Sequence, residues 1–442
     1  MTVQAVRFPS ATTARAALLG SLALGIASMA APPSSAADTY TPAPPEPGTE
    51  IPSAQVDFGM RPYADNTFYV IAMKQGWFDD VGIEIGPEEL GLKVTDTNVT
   101  ALLLNGQLDM ASQYCPLLLP TYKTSDKLKC VGFTDNFLGT AILARPDLGL
   151  KSFKDYIAEG MDFDEAIRAA LAPLEGKTLV GSPVLSKRPF EEAVQQFSGV
   201  RWNLETMDDA KALVLAKAGR IDFADPEGAP IVYTLLQAGW TDLVDIGDLY
   251  EYGPGGVDSP VEKLVAIVGV AAHADFVNAN QNTVLRFLSV VWRTIDAVQD
   301  DPSLYELQAP YLNSVAGTDL DAGGIEETVA ILHPYSSFED NEKYFVDEDH
   351  ILYWKNAWPA IIGDWADKGL VPADAVTTEE FIWAAPIWQQ MKEYQSKSED
   401  LISQLEGQTL DADKQELLAK AKQHFEWFNF LDAYRLATAA AT

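Results

Sequence analysis

The chain has 442 residues, 47% of them hydrophobic and 21% charged, with a formal net charge of -33. That length exceeds the roughly 100 to 200 residues of one domain, so two domains plus additions are expected, and the composition is that of a globular protein rather than a disordered one. So acidic a surface repels phosphate backbones and anionic lipid, which argues against nucleic acid and membrane-surface partners.

Arg7 and Arg15 precede the apolar run AALLGSLALGIASMAA, and Ser34/Ala36 or Ser35/Ala37 then supply the small-residue spacing of a signal-peptidase site. The run is shorter than the about 20 residues that span a hydrocarbon core, so residues 1–37 read as a secretory signal and not as a membrane insertion. No cysteine lies near the cleavage site to carry a lipid, so the expected address is the Gram-negative periplasm. Removing the leader takes away two Arg and no acid, moving the formal charge from -33 to -35. Cys115 and Cys130 are the chain's two cysteines. That compartment permits a disulfide between them. The pattern, however, sets them on opposite sides of a short helix, and two buried thiols are the competing reading.

Residues 38–52, DTYTPAPPEPGTEIP, predict an extended proline-rich linker. From Val56 the pattern alternates strand (VDFGM), helix (FYVIAMKQGWF), strand (IEIGPEEL), helix (NVTALLLNG), strand (LDMAS), helix (LLLPTYK) and the strands LKCVGFT and AILARPD. A second alternating unit runs from LEGKTLVGSP to LVDIGDL. Such alternation predicts parallel sheets with helices on both faces. The two units share a signature: LLLNGQLDMA at 102–111 and LVLAKAGRIDFA at 213–224 each read as a helix, a glycine C-cap and a short buried strand. Ligands of open α/β sheets sit beyond the carboxyl ends of the strands, so two facing lobes would enclose a cleft. After residue 250 the strand-like KLVAIVGVAA returns and helices follow. Long helices end in DKQELLAKAKQHFEWFNFLDAYRL, with Leu417, Ala421, Phe425, Phe428 and Leu431 as packing residues.

The stretches FYVIAMKQGWFDDVGIEI, ALLLNGQLDMAS, LEGKTLVGSP and DDAKALVLAKAGRIDFADPEGAP, in that order, resemble the periplasmic substrate-binding proteins of ATP-driven (ABC) importers. The likeness is to the branch that includes nitrate, taurine, alkanesulfonate and thiamine-pyrimidine binders. KQGWFDDVGIEI is the most specific of these phrases. The resemblance covers about residues 54 to 300. It implies a two-lobed α/β periplasmic-binding-protein fold (type II) with additional C-terminal helices. Lobe 1 is expected at 53–145 plus about 250–300, lobe 2 at 146–249, and a helical extension packed on both at 301–442, with hinges near 144–150 and 246–256. The implied partners are a small solute and an importer's membrane subunits, with no cofactor.

Five loops are expected to line the cleft. RPYADNTF offers Tyr63, Asp65, Asn66 and Phe68; SQYCP offers Gln113 and Tyr114; TDNF offers Asp135, Asn136 and Phe137. Rings mixed with amides and hydroxyls suit a small, partly polar ligand. In the resembled family the loop SPVLSKRPFEE often binds the ligand's charged group, which singles out Ser182, Ser186 and Lys187 ahead of a helix N-terminus suited to an anion. DPEGAP adds Asp225 and Glu227, able to grip an amine or to pair with Lys187 or Arg188. An anion-bearing or zwitterionic solute is expected on balance.

GKT at 176–178 lacks the first glycine of a phosphate loop, since Leu171 holds its place. No H-E-x-x-H, G-x-S-x-G or Cys pair at metal spacing occurs, and His273, His333, His350 and His424 fall outside the five loops. No metal site and no catalysis is expected. The alternatives are a pyrimidine-forming enzyme on the same fold, which would need reactive His and a Cys-rich iron motif, and a sensory partner that presents its ligand to a receptor.

Overall fold

The structure, a computed structural model, describes residues 39–182, 187–226, 228–255, 259–372, 374 and 376–442, with Ala210 described by its backbone alone. The expected leader, Ser186 and Glu227 lie outside the described residues.

Among the described residues eleven strands build two sheets. The first has the order β2 (Ile83–Gly86), β1 (Ala54–Met60), β4 (Met110–Tyr114), β11 (Ile267–His273), β5 (Leu128–Asn136), with β3 (Leu92–Lys93) also pairing β1. The second runs β10 (Thr241–Asp245), β6 (Ala141–Ala144), β9 (Phe223–Asp225), β7 (Thr178–Gly181), β8 (Asn203–Thr206). The repeated signature lands where the sequence puts it. Helices Val99–Leu104 and Asp209–Lys217 are followed by Gly106 and Gly219, both at positive φ, and then by β4 and β9. A residue with a Cβ resists that left-handed turn, so glycine ends both helices.

Neither sheet is purely parallel, contrary to expectation. β11 runs antiparallel to both β4 and β5, and β6 runs antiparallel to β10 and β9. Each of these strands enters its sheet from the other lobe and so arrives reversed. The first crossing is therefore residues 137–140, ahead of the expected boundary at 145, because β6 hydrogen-bonds within the second sheet. Past Asp245 the expected strand LVDIGDL turns helical, since Asp245 and Asp248 form a reciprocal capping box that starts helix Ile246–Tyr252.

Residues 39–53 are extended but not free. The Tyr40 hydroxyl donates to Gln390 Oε1 (2.6 Å), Gln281 bonds the backbone at Thr41 and Ala43, and Glu46 accepts from Arg286 (2.7 Å). The segment is a strap across helices Gln281–Asp300, Ala384–Glu406 and Phe430–Ala441. The expected long terminal helix is broken: Ala412–Glu426 ends at Trp427, Phe428 takes a positive φ of 61°, and Asn429 caps the next helix through Asp432 N. Ala421 and Leu431 are buried as packing residues, and Leu417, Phe425 and Phe428 are half-buried. The extension shares one hydrophobic core with lobe 1, joining Phe58 and Phe287 to Phe338, Trp358 and Trp388, while lobe 2 has its own.

Cys115 and Cys130 form a disulfide with Cα atoms 5.9 Å apart. The helix after β4 is a tight 3-10 turn, Cys115–Lys123, and not the α-helix that would hold the two apart. With the two cysteines separated by 15 positions in sequence, loop-closure entropy assigns the bridge about 3 kcal/mol. Replacing both cysteines by Ala is expected to lower the unfolding free energy by about 2–4 kcal/mol in urea titrations.

Gly269 pairs with Phe133 across the ladder, and an added Cβ there would overlap the carbonyl oxygen of the adjacent Gly132. Gly269→Ala must push β11 and β5 apart. It is expected to cost at least about 3 kcal/mol, read as a lowered denaturation midpoint or loss of soluble protein.

Candidate functional site

The carboxyl ends of the strands of both lobes face one cavity of about 470 Å³. Lobe 1 contributes Pro62, Tyr63 and Thr95–Thr97, lobe 2 contributes Ser182, Asp208, Asp209, Gly228, Pro230 and Ile231, and the extension adds Val315 and Ala316. Another cavity of about 470 Å³, under β2 around Gly86 and Pro87, lies on the outer edge of lobe 1, away from the converging strand ends.

Tyr63 stands at the lobe interface. Its hydroxyl donates to Asp96 Oδ2 (2.6 Å), the Arg61 guanidinium lies 4.8 Å from its ring centroid, and its ring edge lies within 3.4 Å of the Cβ position of Gly228. Arg61 Nε donates to Asp96 Oδ1 at 2.5 Å, so its charge is committed to that carboxylate. Asp209 accepts from Gly228 N (3.1 Å), tying the start of helix Asp209–Lys217 to the loop after β9. The described lining therefore carries three carboxylates, Asp96, Asp208 and Asp209, and no basic side chain.

Among the expected ligand residues that are described, Tyr63 and Ser182 alone line this cavity. Lys187 is buried and paired with the Asp225 side chain, and its Nζ also donates to the carbonyls of Asp225 (2.8 Å) and Pro226 (2.6 Å). An ammonium group so occupied offers nothing to an anion. Burial pushes the Asp225 carboxyl above its ordinary value against the pull of Lys187, with Glu191 adding to the rise. The expectation that Lys187 grips the ligand is thus corrected: lysine and aspartate hold the loop after β9 against helix Arg188–Ser198.

Phe68 and Tyr114 belong to the core. Phe68 stacks on Tyr69 (4.2 Å between centroids) and packs against Tyr335, and Tyr114 sits in the core of lobe 2 with its hydroxyl on the Val265 carbonyl (2.7 Å). Gln113 is buried within β4, its Oε1 accepting from Tyr114 N. Gln113 and Tyr114 read as a loop in the sequence although β4 runs on through Tyr114, and Phe68 lies between helices Ala64–Thr67 and Tyr69–Gln75.

The remaining expected residues gather beneath the cleft. β5 carries a bulge: Val268 pairs Asp135 while Gly269 pairs Phe133, leaving Thr134 out of register. Bulges redirect side chains at strand ends, and Asp135 is the one redirected here. The Thr134 hydroxyl donates to Asp135 Oδ1 (2.8 Å), and Asp135 Oδ2 lies 2.9 Å from His333 Nδ1. His333 closes helix Ala322–Leu332 and stacks on Phe137 (4.6 Å), and its Nε2 faces Asp65 Oδ1 at 3.3 Å. Asn66 Nδ2 contacts Asp65 Oδ2, and Asn136 is buried alongside Asp135. Burial raises Asp65 to about 6, opposed by His333, and raises Asp135 to about 8, opposed by the Thr134 hydrogen bond and Arg61. It lowers His333.

The sequence reading missed His333, Asp96, Asp208 and Asp209. Each acid opens a helix or turn and so resembles an ordinary cap. His333 followed by Pro334 resembles a helix stop, and only the strand-like pairing of Tyr335 with Asp135 brings it to the site.

Two sheets crossed twice by the chain, with strand ends facing a shared cleft, define the periplasmic-binding-protein fold. Residues 64–159, from the first helix through the first crossing, match the family described as NMT1/THI5 like. The structure is similar to the periplasmic nitrate-binding protein NrtA from Synechocystis PCC 6803 (TM-score 0.53, 13% identity, 79% of this chain and 89% of that one). It is also similar to the periplasmic aliphatic sulphonate binding protein SsuA from Escherichia coli (TM-score 0.50, 16% identity, 76% of this chain and 99% of that one). At such identities the likeness is one of fold. No curated protein matches the sequence. Among the described residues no helix is long and apolar enough to cross a membrane.

The two tyrosines separate cleft from core. Tyr114→Ala is expected to cost about 3–5 kcal/mol of stability, whereas Tyr63→Ala leaves the fold largely intact and weakens solute binding. Chemical denaturation paired with calorimetry reads both.

Proposed function

We propose that the protein is a periplasmic solute-binding receptor that captures a small molecule in the cleft between its lobes and delivers it to the membrane subunits of an ABC importer. The observation that carries the reading is the cavity itself, walled by strand-end loops from both lobes in a fold shared with periplasmic binding proteins. A disulfide between Cys115 and Cys130 suits an oxidising compartment and supports export through the expected leader.

The cleft favours a solute bearing a cationic group, zwitterions included. Asp96, Asp208 and Asp209 line it, the first paired with Arg61, and the described lining holds no basic side chain, Lys187 being committed to Asp225. In a partly enclosed space such a field attracts an ammonium group and repels a free anion. The sequence expectation of an anion-bearing ligand rested on the helix N-terminus in SPVLSKRPFEE and on Lys187, and the support from Lys187 is gone. Tyr63 offers the ring face against which a cation can settle.

Thermal-shift and calorimetric screening tests this reading with amines, polyamines and amino acids set against nitrate and alkanesulfonates. A true ligand at a hundred times its dissociation constant adds about 2.7 kcal/mol of stability. Asp209→Asn, which keeps the bond from Gly228 N, is expected to weaken a cationic ligand at least about tenfold, the scale of one charge-assisted contact. Binding of anions alone, unchanged by Asp209→Asn, would overturn the charge assignment while leaving the receptor reading in place. Failure of every solute class would count against the receptor reading itself.

A further inference from the structure

The buried cluster beneath the cleft poses a charge problem that the receptor reading does not use. Asp65 and Asp135 are both fully enclosed, and among the described residues no basic side chain bonds either carboxylate. His333 lies between them. Its Nδ1 is 2.9 Å from Asp135 Oδ2, and Asp135 Oδ1 already accepts from Thr134; with the proton on Nδ1, Asp135 Oδ2 is its acceptor. That tautomer leaves Nε2 with a lone pair, and the lone pair faces Asp65 Oδ1, another acceptor, at 3.3 Å without hydrogen-bond geometry.

We propose that Asp65 and His333 bind a divalent transition-metal ion, Zn²⁺ in the first instance, which staples the C-terminal extension to lobe 1. Two ligand atoms bound at about 2.1 Å and subtending a tetrahedral angle stand about 3.4 Å apart, close to the separation seen between Nε2 and Oδ1. Asp135 performs the usual service to a metal-bound imidazole, accepting from the other ring nitrogen and fixing both tautomer and ring plane. It is a positioning residue, since its oxygen lies on the far side of the ring. Phe137 stacked on the imidazole holds the same plane.

Further unpartnered buried oxygens surround the pair. Asn66 Oδ1, Tyr69 Oη and Tyr335 Oη have no hydrogen-bond partner, and both phenols sense the charges of Asp65 and Asp135. Buried polar groups left unpaired cost about 1–3 kcal/mol each, so a group that satisfies several at once is strongly favoured. These oxygens are the candidates for the remaining coordination positions. One imidazole with oxygen donors suits Zn²⁺, Mn²⁺ or Fe²⁺ rather than a thiophilic ion.

The test uses the full chain made without a polyhistidine tag, stripped with EDTA and studied without solute, so that its outcome does not depend on which ligand the cleft takes. Zn²⁺ calorimetry, metal analysis and the visible absorption of a Co²⁺ titration are expected to report one ion per chain, with the thermal midpoint raised by Zn²⁺ and lowered again by EDTA. His333→Gln and Asp65→Asn should abolish the uptake. Asp135→Asn should weaken it about 10- to 100-fold while leaving the Co²⁺ spectrum tetrahedral. His273→Gln and His350→Gln should leave it unchanged. The proposal is overturned if the folded wild-type chain takes up none of Zn²⁺, Co²⁺, Mn²⁺ or Fe²⁺ in stoichiometric amount, or if uptake survives both His333→Gln and Asp65→Asn. The wild-type titration decides the matter even where a variant fails to fold.

Discussion

The insertion of β11 between β4 and β5 is the constraint from which the rest of the arrangement follows. A strand returning from lobe 2 must enter the first sheet reversed, and it can do so only where backbones approach closely enough to bond on both sides. Gly269, where an added Cβ would overlap the Gly132 carbonyl oxygen, permits that approach. The cost is a register shift in β5, and the shift turns Asp135 toward the floor of the cleft. Along the same strand, Val268 pairs with Tyr114 on one side and Asp135 on the other. The pairing that joins the lobes thus also sets which side chains lie beneath them.

The C-terminal extension adds a second set of connections. Through Phe338, Trp358 and Trp388 it completes the core of lobe 1, and Arg286 with Asp432, Glu46 and Arg435 locks it and the N-terminal strap to helix Gln281–Asp300. It also reaches lobe 2, where Glu327 accepts from Tyr233, Lys368 pairs with Glu192 (2.5 Å), Asp364 pairs with Lys263 (3.2 Å) and Leu332 enters the core. The surface pairs are worth little singly, but the buried Leu332 is not so easily released. In the proposed receptor, hinge motion about residues 137–140 would work against these contacts. A ligand shifts such an equilibrium only by its differential affinity for the closed state, so these contacts would add to the binding energy that closure consumes.

Much of this was legible in the sequence, and the boundary of legibility has physical causes. The repeated helix–glycine–strand signature predicted both central strands because a glycine at positive φ leaves a local mark. Strand direction left none: β6 and β11 look like any buried strand, and only the double crossing reverses them. The candidate site was legible as a set of loops but not as a geometry. Tyr63 and Ser182 reach the cavity, whereas Phe68 and Tyr114 are drawn into cores by hydrophobic burial that a loop-based reading does not weigh. Lys187 was read by its charge, and its three acceptors lie on a segment nearly forty residues away in sequence. His333 lies still farther from the two carboxylates it meets. Its only local sign is a helix that stops.

Charge is where sequence and structure bear on each other most directly. A chain at -33 has many more acids than bases, so each base near a functional site is in demand from neighbouring carboxylates before any ligand arrives. Arg61 goes to Asp96, Lys187 to Asp225, and Arg286 and Arg435 to Asp432. Burying a lone carboxylate is far more costly than pairing it, so the fold satisfies these demands first. At the cleft the described lining carries Asp96, Asp208 and Asp209 and no basic side chain. Beneath it, among the described residues, no basic side chain bonds Asp65 or Asp135, and the two share one imidazole. The net charge reveals nothing about the fold. Where the fold commits its cations to its own carboxylates, it weights toward the negative the field that the proposed solute or ion would meet.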